Sequence, residues 1–166
     1  MPLIPFTNLP AESRIWIFGC DPALTGDDAL RLLDEVDRYL GQWKAHGVPL
    51  VVARDWAEDR FLTIGVDTTQ EIASGCSIDG LFRTLQTLER SLGTRLLAGG
   101  RVFYRDASGS VRATSRDDFT ALAEDGRVNA DTTVFDTSLT TAADRRTRFE
   151  TKVGDSWAAS LLPSPR

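Results

Sequence analysis

Residues 75–93 read GCSIDGLFRTLQTLERSLG, and this stretch decides the fold. Ile78, Leu81, Phe82, Leu85, Leu88 and Leu92 recur at three- and four-residue spacing, which puts them on one face of a helix. Ser77 is the predicted N-cap, and Gly93 is a natural stop because glycine accepts left-handed backbone geometry. A helix with one apolar face has to lie against something, and the preceding residues supply it. Phe61–Val66 and Leu50–Ala53 are short and apolar and read as strands, with the polar Trp56–Arg60 stretch as their hairpin connection.

Further upstream the pattern repeats. Leu30, Leu33, Val36, Leu40 and Trp43 mark a first helix, opened by Thr25 with Asp28 in the manner of a capping box. His46-Gly47 reads as its C-terminus, where histidine meets the last carbonyls and glycine ends the helix. Ser13–Phe18 is bulky and β-rich and reads as a strand. Downstream, Arg101–Arg105 and Ser110–Thr114 are expected as strands around the turn Ala107-Ser108-Gly109. Ser115 and Asp118 start a short helix carrying Phe119 and Leu122, and Thr132–Asp136 is a further strand. Ser138–Arg148 is too polar to assign, and Trp157, Leu161 and Leu162 are expected to dock the C-terminal segment.

The order strand, helix, strand, strand, helix, strand with right-handed crossovers predicts an α+β fold. Its form is a ferredoxin-like, split βαβ antiparallel sheet with both main helices on one face and a C-terminal β/α extension. A rearranged α+β sheet is the alternative. The chain of 166 residues is expected to be one domain, with residues 1–12 an extended lead-in and 163–166 a frayed tail.

Composition narrows the function. Charged residues make up 26% and the net charge is -5, and the one basic cluster is Arg145, Arg146 and Arg148. A nucleic-acid binder needs a basic face to neutralise phosphates, so nucleic acid is not an expected partner. No apolar run is long enough to span a bilayer, and Met1–Pro10 lacks the form of a secretory signal, so a cytoplasmic protein without membrane insertion is expected. Cys20 and Cys76 are then free thiols. There is no G-x-x-x-x-G-K-[ST] and no G-x-G-x-x-G, which excludes a P-loop ATPase. One histidine and two distant cysteines do not supply a standard zinc site, so no metal and no cofactor is expected.

Connectivity gives the candidate site. If the first strand runs up, the first helix comes down to His46, the third strand comes down to Asp67, and the second helix starts at the same end with Gly75-Cys76-Ser77-Ile78-Asp79. Cys76 lies just before a helix N-terminus, where free N–H groups and the helix dipole stabilise a thiolate. His46 is placed to accept its proton and Asp67 or Asp79 to orient the imidazole. Gly75, Ser77, Asp79, Trp43 and Gly47 would instead line a ligand-binding end. Each residue also has a structural role available. Cys76 suits a small buried hydrophobe, Ser77 an N-cap, Asp79 a partner for the helix dipole, and Trp43 the core. Cys20 falls at the opposite end.

The stretches Leu9-Pro10-x-x-Ser13-Arg14-x-Trp16-Ile17-Phe18, Trp43-x-x-His46-Gly47, Val66-Asp67, Ala73-Ser74-Gly75-Cys76-Ser77-Ile78-Asp79, Thr133-Val134-Phe135 and Asp155-Ser156-Trp157 resemble a family of small uncharacterised bacterial proteins. Its members commonly carry the label "ABC transporter ATPase". The resemblance covers nearly the whole chain and implies a shared fold in which His46 and Cys76 belong together. It implies no reaction, and the Walker A residues that the label requires are missing here. Two functional classes follow. The favoured one is a non-catalytic domain binding a small molecule or protein partner at the His46/Cys76 end, and the other is a cysteine-dependent enzyme or thiol sensor.

Overall fold

The computed structural model describes residues 3–69 and 72–164. It is a mixed α+β chain with antiparallel sheets, gathered into two compact units, Met1–Leu97 with Ser138–Arg146 and Ala98–Thr137 with Thr147–Arg166. No helix among the described residues is long and apolar enough to cross a membrane.

The first unit contains β1 (Arg14–Gly19), α1 (Gly26–Gly41), β2 (Lys44–Ala45), β3 (Val48–Pro49), β4 (Val52–Ala57), β5 (Phe61–Val66) and α2 (Gly75–Leu92). Its main sheet has the order β1-β5-β4, with both pairings antiparallel. Trp16 lies opposite Ile64, Phe18 opposite Leu62, and Val52 opposite Val66. The period-two alternation of strands therefore gathers these side chains on one face, where Leu32, Val36 and Leu40 of α1 and Leu81, Leu85 and Leu88 of α2 close the core. All six residues of β5 are buried because this strand is central and covered on both faces.

Several expectations are corrected here. In α1 the buried set is Ala29, Leu32, Val36 and Leu40, while Leu30 is 60% exposed. Leucines at 30 and 33 fit helical periodicity as well as the residues just before them, so spacing alone mis-phased the first turn. Thr25 does precede this helix, but its side chain makes no capping bond. The helix ends at Gly41, well short of His46-Gly47. These two residues form the turn of the β2–β3 hairpin instead, with φ of 52° and 79° between the paired Ala45 and Val48. Two consecutive positive φ values are the mark of a type I′ turn, which is why a glycine follows the histidine. In α2 the N-cap is Ser74, whose hydroxyl accepts from the Ser77 N–H, and Gly93 ends the helix at φ 65°. Ser77 and Cys76 thus both lie inside the first turn.

The strand Arg101–Arg105 does not join the first sheet. The edge of β1 is taken by the polar segment left unassigned from sequence: Ile15 N–H donates to the Thr140 carbonyl at 3.0 Å, and the Ala142 N–H donates to the Ser13 carbonyl at 3.0 Å. Arg14 bridges to Thr141 in the same stretch.

The second unit carries β6 (Arg101–Arg105), β7 (Val111–Ser115), α3 (Arg116–Glu124), β8 (Thr133–Phe135) and β9 (Glu150–Lys152), in the sheet order β7-β6-β8-β9. The helix α4 (Ala142–Arg148) begins in the first unit. Ser115 caps α3 by accepting from the Asp118 N–H. Val102, Phe119, Val128, Val134, Val153 and Ala158 form the second core, with Leu161 and Leu162 packed on it. Trp157 is not buried with them but stays 38% exposed beneath the Arg116 guanidinium, 5.1 Å from its ring centroid.

Candidate functional site

Antiparallel pairing sends β5 back to the end of the sheet where β1 and β4 begin, and α2 starts there. The β2–β3 hairpin reaches that end too, because β2 packs against α2. The joint is polar and buried. The Trp43 indole N–H donates to the Ser77 carbonyl at 2.8 Å, and the Tyr39 hydroxyl donates to the same oxygen at 3.1 Å. Trp43 is therefore a core residue with its polar tip satisfied, as a buried tryptophan requires. Gly80 makes room for this contact, since a Cβ there would meet the Tyr39 hydroxyl at 2.5 Å.

Around this joint the sequence-predicted residues divide. Ser77 is buried, donates its hydroxyl to the Ser74 carbonyl at 2.8 Å, and is structural. Asp67 is buried, and its Oδ1 accepts from the N–H and hydroxyl of Thr69, at 2.9 and 2.6 Å, to hold the turn after β5. That carboxylate is used by its own loop and makes no bond to an imidazole. Gly75 and Asp79 are exposed in the first turns of α2, and His46 and Gly47 are exposed at the tip of the hairpin. Cys76 is exposed rather than buried among apolar side chains. Among the described residues no hydrogen bond or ion pair joins His46 to Cys76 or Asp67. An imidazole–thiol couple is thus not assembled, although both residues belong to elements that meet at one end.

Cys20 behaves in the opposite way. It is fully buried where β1 ends, with the Arg60 guanidinium donating to its carbonyl at 2.8 Å. Burial pushes its thiol up from 9.0 to about 12, against smaller opposing effects of Arg60 and a hydrogen bond with Thr94. Asp21 pairs with Arg95 just beyond the end of α2, so the 18-residue helix, about 27 Å long, separates Cys20 from Cys76.

Sequence reasoning missed the cavity at this end. It holds about 300 Å³ and is lined by Arg14, Trp16, Val66, Thr68, Ile72, Ala73 and Ile78. Arg14 and Trp16 stand two apart on β1 and so share a face, and the guanidinium lies 5.1 Å over the Trp16 ring. Trp16 in turn packs edge-on against Trp43 with centroids 6.0 Å apart. Ile72, 67% exposed, stands at the rim. The available signal was the Arg14-x-Trp16 spacing at the start of a strand leading into the core. Among the described residues no group of three His, Cys, Asp or Glu side chains is placed to hold a metal. Comparisons with protein-family models, with curated proteins and with solved structures give no match to this chain.

Proposed function

We propose that this chain is a non-catalytic binding domain that takes a small ligand at the end of its first unit where α2 begins. The observation that carries the reading is the open apolar cavity of about 300 Å³ between the start of β1, the end of β5 and the first turns of α2. A concave site with apolar walls and a few polar groups is what ligand binding uses. The structural duties of Ser77 and of Asp67, one of the two carboxylates considered for orienting His46, support binding over catalysis. The proposal places the protein in the cytoplasm, in keeping with its two unpaired cysteines, and keeps it with the family it resembles. It also treats β1-α1-β4-β5-α2 as a split βαβ unit of ferredoxin type, with Thr140–Thr141 standing where the fourth strand would pair.

The test is a fragment titration of isotope-labelled protein followed by NMR. Binding fragments should shift the Trp16 indole and the Ala73 and Ile78 amides, and should be recovered unchanged after prolonged incubation. Shifts confined to other surfaces would refute the site, and turnover lost in Cys76→Ser would refute the non-catalytic reading. The second reading, a cysteine-dependent enzyme or thiol sensor, is favoured by one observation: Cys76 is exposed in a helix first turn, where unpaired N–H groups favour an anion.

A further inference from the structure

We infer that the cavity takes a small carboxylate with an apolar body, its acid group held by Arg14. This rests on the binding reading above and adds the class of ligand. Arg14 is fixed by its strand on both sides, opposite Val66 of β5 and bridged to Thr141. Its side chain lies over Trp16 and, among the described residues, makes no hydrogen bond or ion pair. Two half-buried arginines of this acidic chain show what such a fork does when an acid is near: Arg54 grips Asp37 through two bonds at 2.8 and 2.9 Å, and Arg145 meets Asp55 at 2.8 Å. Among the described residues, then, the planar fork of donors on Arg14 is unused, and that fork matches a carboxylate.

The rest of the lining sets the body of the ligand. Trp16, Val66, Ile72, Ala73 and Ile78 present apolar surface, and Thr68 adds one hydroxyl. The described lining holds a cation and no acidic residue, which favours an anionic group over an ammonium. A cavity of this size holds about ten to twelve non-hydrogen atoms, the scale of an aryl or medium-chain acid. A flat ring would stack beside Trp16 while its acid reaches the guanidinium.

The experiment uses the full chain with phenylpropanoate and octanoate, each set against its primary amide and against phenylpropylamine, by calorimetry and by the Trp16 indole NMR signal. The acids should bind about tenfold or more tightly than the amides, as expected for a charge-assisted fork. Arg14→Gln should bring the acids down to the amide level, and Arg14→Lys, which keeps the charge but loses the fork, should fall between. Ile78→Asp should abolish binding of both while circular dichroism shows the fold intact. Amides binding as well as acids, or the amine binding best, would overturn the carboxylate assignment and leave the binding site standing. No binding of acid or amide at millimolar concentration would overturn both.

Discussion

The two thiols should part company under alkali, and Cys20 gives the size of the effect. Its thiol is held at about 12 by burial, against an ordinary 9.0. On unfolding it returns to water. Above pH 9 the unfolded chain then sheds a proton that the folded chain keeps until about pH 12. This contribution to stability is complete below pH 9 and drains away between 9 and 12, at up to about 1.4 kcal/mol per pH unit. Between pH 9 and pH 11 the loss should reach about 2 kcal/mol. Tyr39, also raised by burial, acts in the same direction at higher pH, so the measurement has to be a difference. Urea denaturation of the wild type and Cys20→Ala at pH 8, 9, 10 and 11 isolates it: the stability gap between the two proteins should change by that amount in the direction of Cys20→Ala. In a parallel assay at pH 8, a thiol reagent should label one cysteine per native chain quickly and the second only after denaturation. A raised pKa of this size lowers the thiolate fraction about a thousandfold, before any steric protection is counted. Denaturation curves whose separation does not change with pH, or two equally fast thiols in the native protein, would refute the account of Cys20.

Two further perturbations probe how the sheet of the first unit is covered on the face away from α1 and α2. Arg145 donates to Asp55 Oδ2 at 2.8 Å and to the Thr63 hydroxyl at 3.2 Å, so Arg145→Ala should cost about 2–3 kcal/mol in urea denaturation by leaving a charged hydrogen bond unmade. An unchanged midpoint would mean that Thr140–Ala142 holds α4 without this clamp. Gly65→Ala should cost about 1–3 kcal/mol, because an added Cβ would run into Leu9 and sit 3.4 Å from Ile15 Cγ2. Thermal melting should show the loss, and a Leu9→Ala background should lessen it.

The parts of the fold that were legible are those in which local and tertiary demands agree. The second helix is periodic, capped and stopped within one stretch, and β5 is a continuous apolar run because both its faces are covered. The antiparallel pairing of β4 with β5 was legible too, as two short apolar runs around a polar connection. Failures occurred where backbone pairing decided the outcome. His46-Gly47 satisfies a helix C-terminus and a type I′ turn equally well as a dipeptide, and the pairing of Ala45 with Val48 selects the turn. The threonines at 140 and 141 carry no apolar pattern because they meet β1 through backbone hydrogen bonds at its edge, which composition does not report.

For the candidate site, topology spoke to which elements meet and not to the bonds their side chains make. It brought His46, Asp67 and Cys76 to elements that meet, but a carboxylate at such an end has competing uses, and Asp67 spends its oxygen on Thr69. The residues that line a cavity were read as core or passed over, since Trp16, Val66 and Ile78 obey the same alternation as buried neighbours. What separates them is a local mismatch. Arg14 continues the inward-facing register of Trp16 and Phe18, yet it is a charge on the face that packs the core. A cation in that register has to be paired or reach solvent, and one that reaches solvent beside a cavity is open to an anion from outside. Arg14 is exposed, it lies on Trp16, and it has no acid beside it among the described residues. The same argument separates the cavity from Cys76: the thiol is exposed in the first turn of a helix, whereas the guanidinium lines the mouth of an apolar cavity and, among the described residues, makes no hydrogen bond.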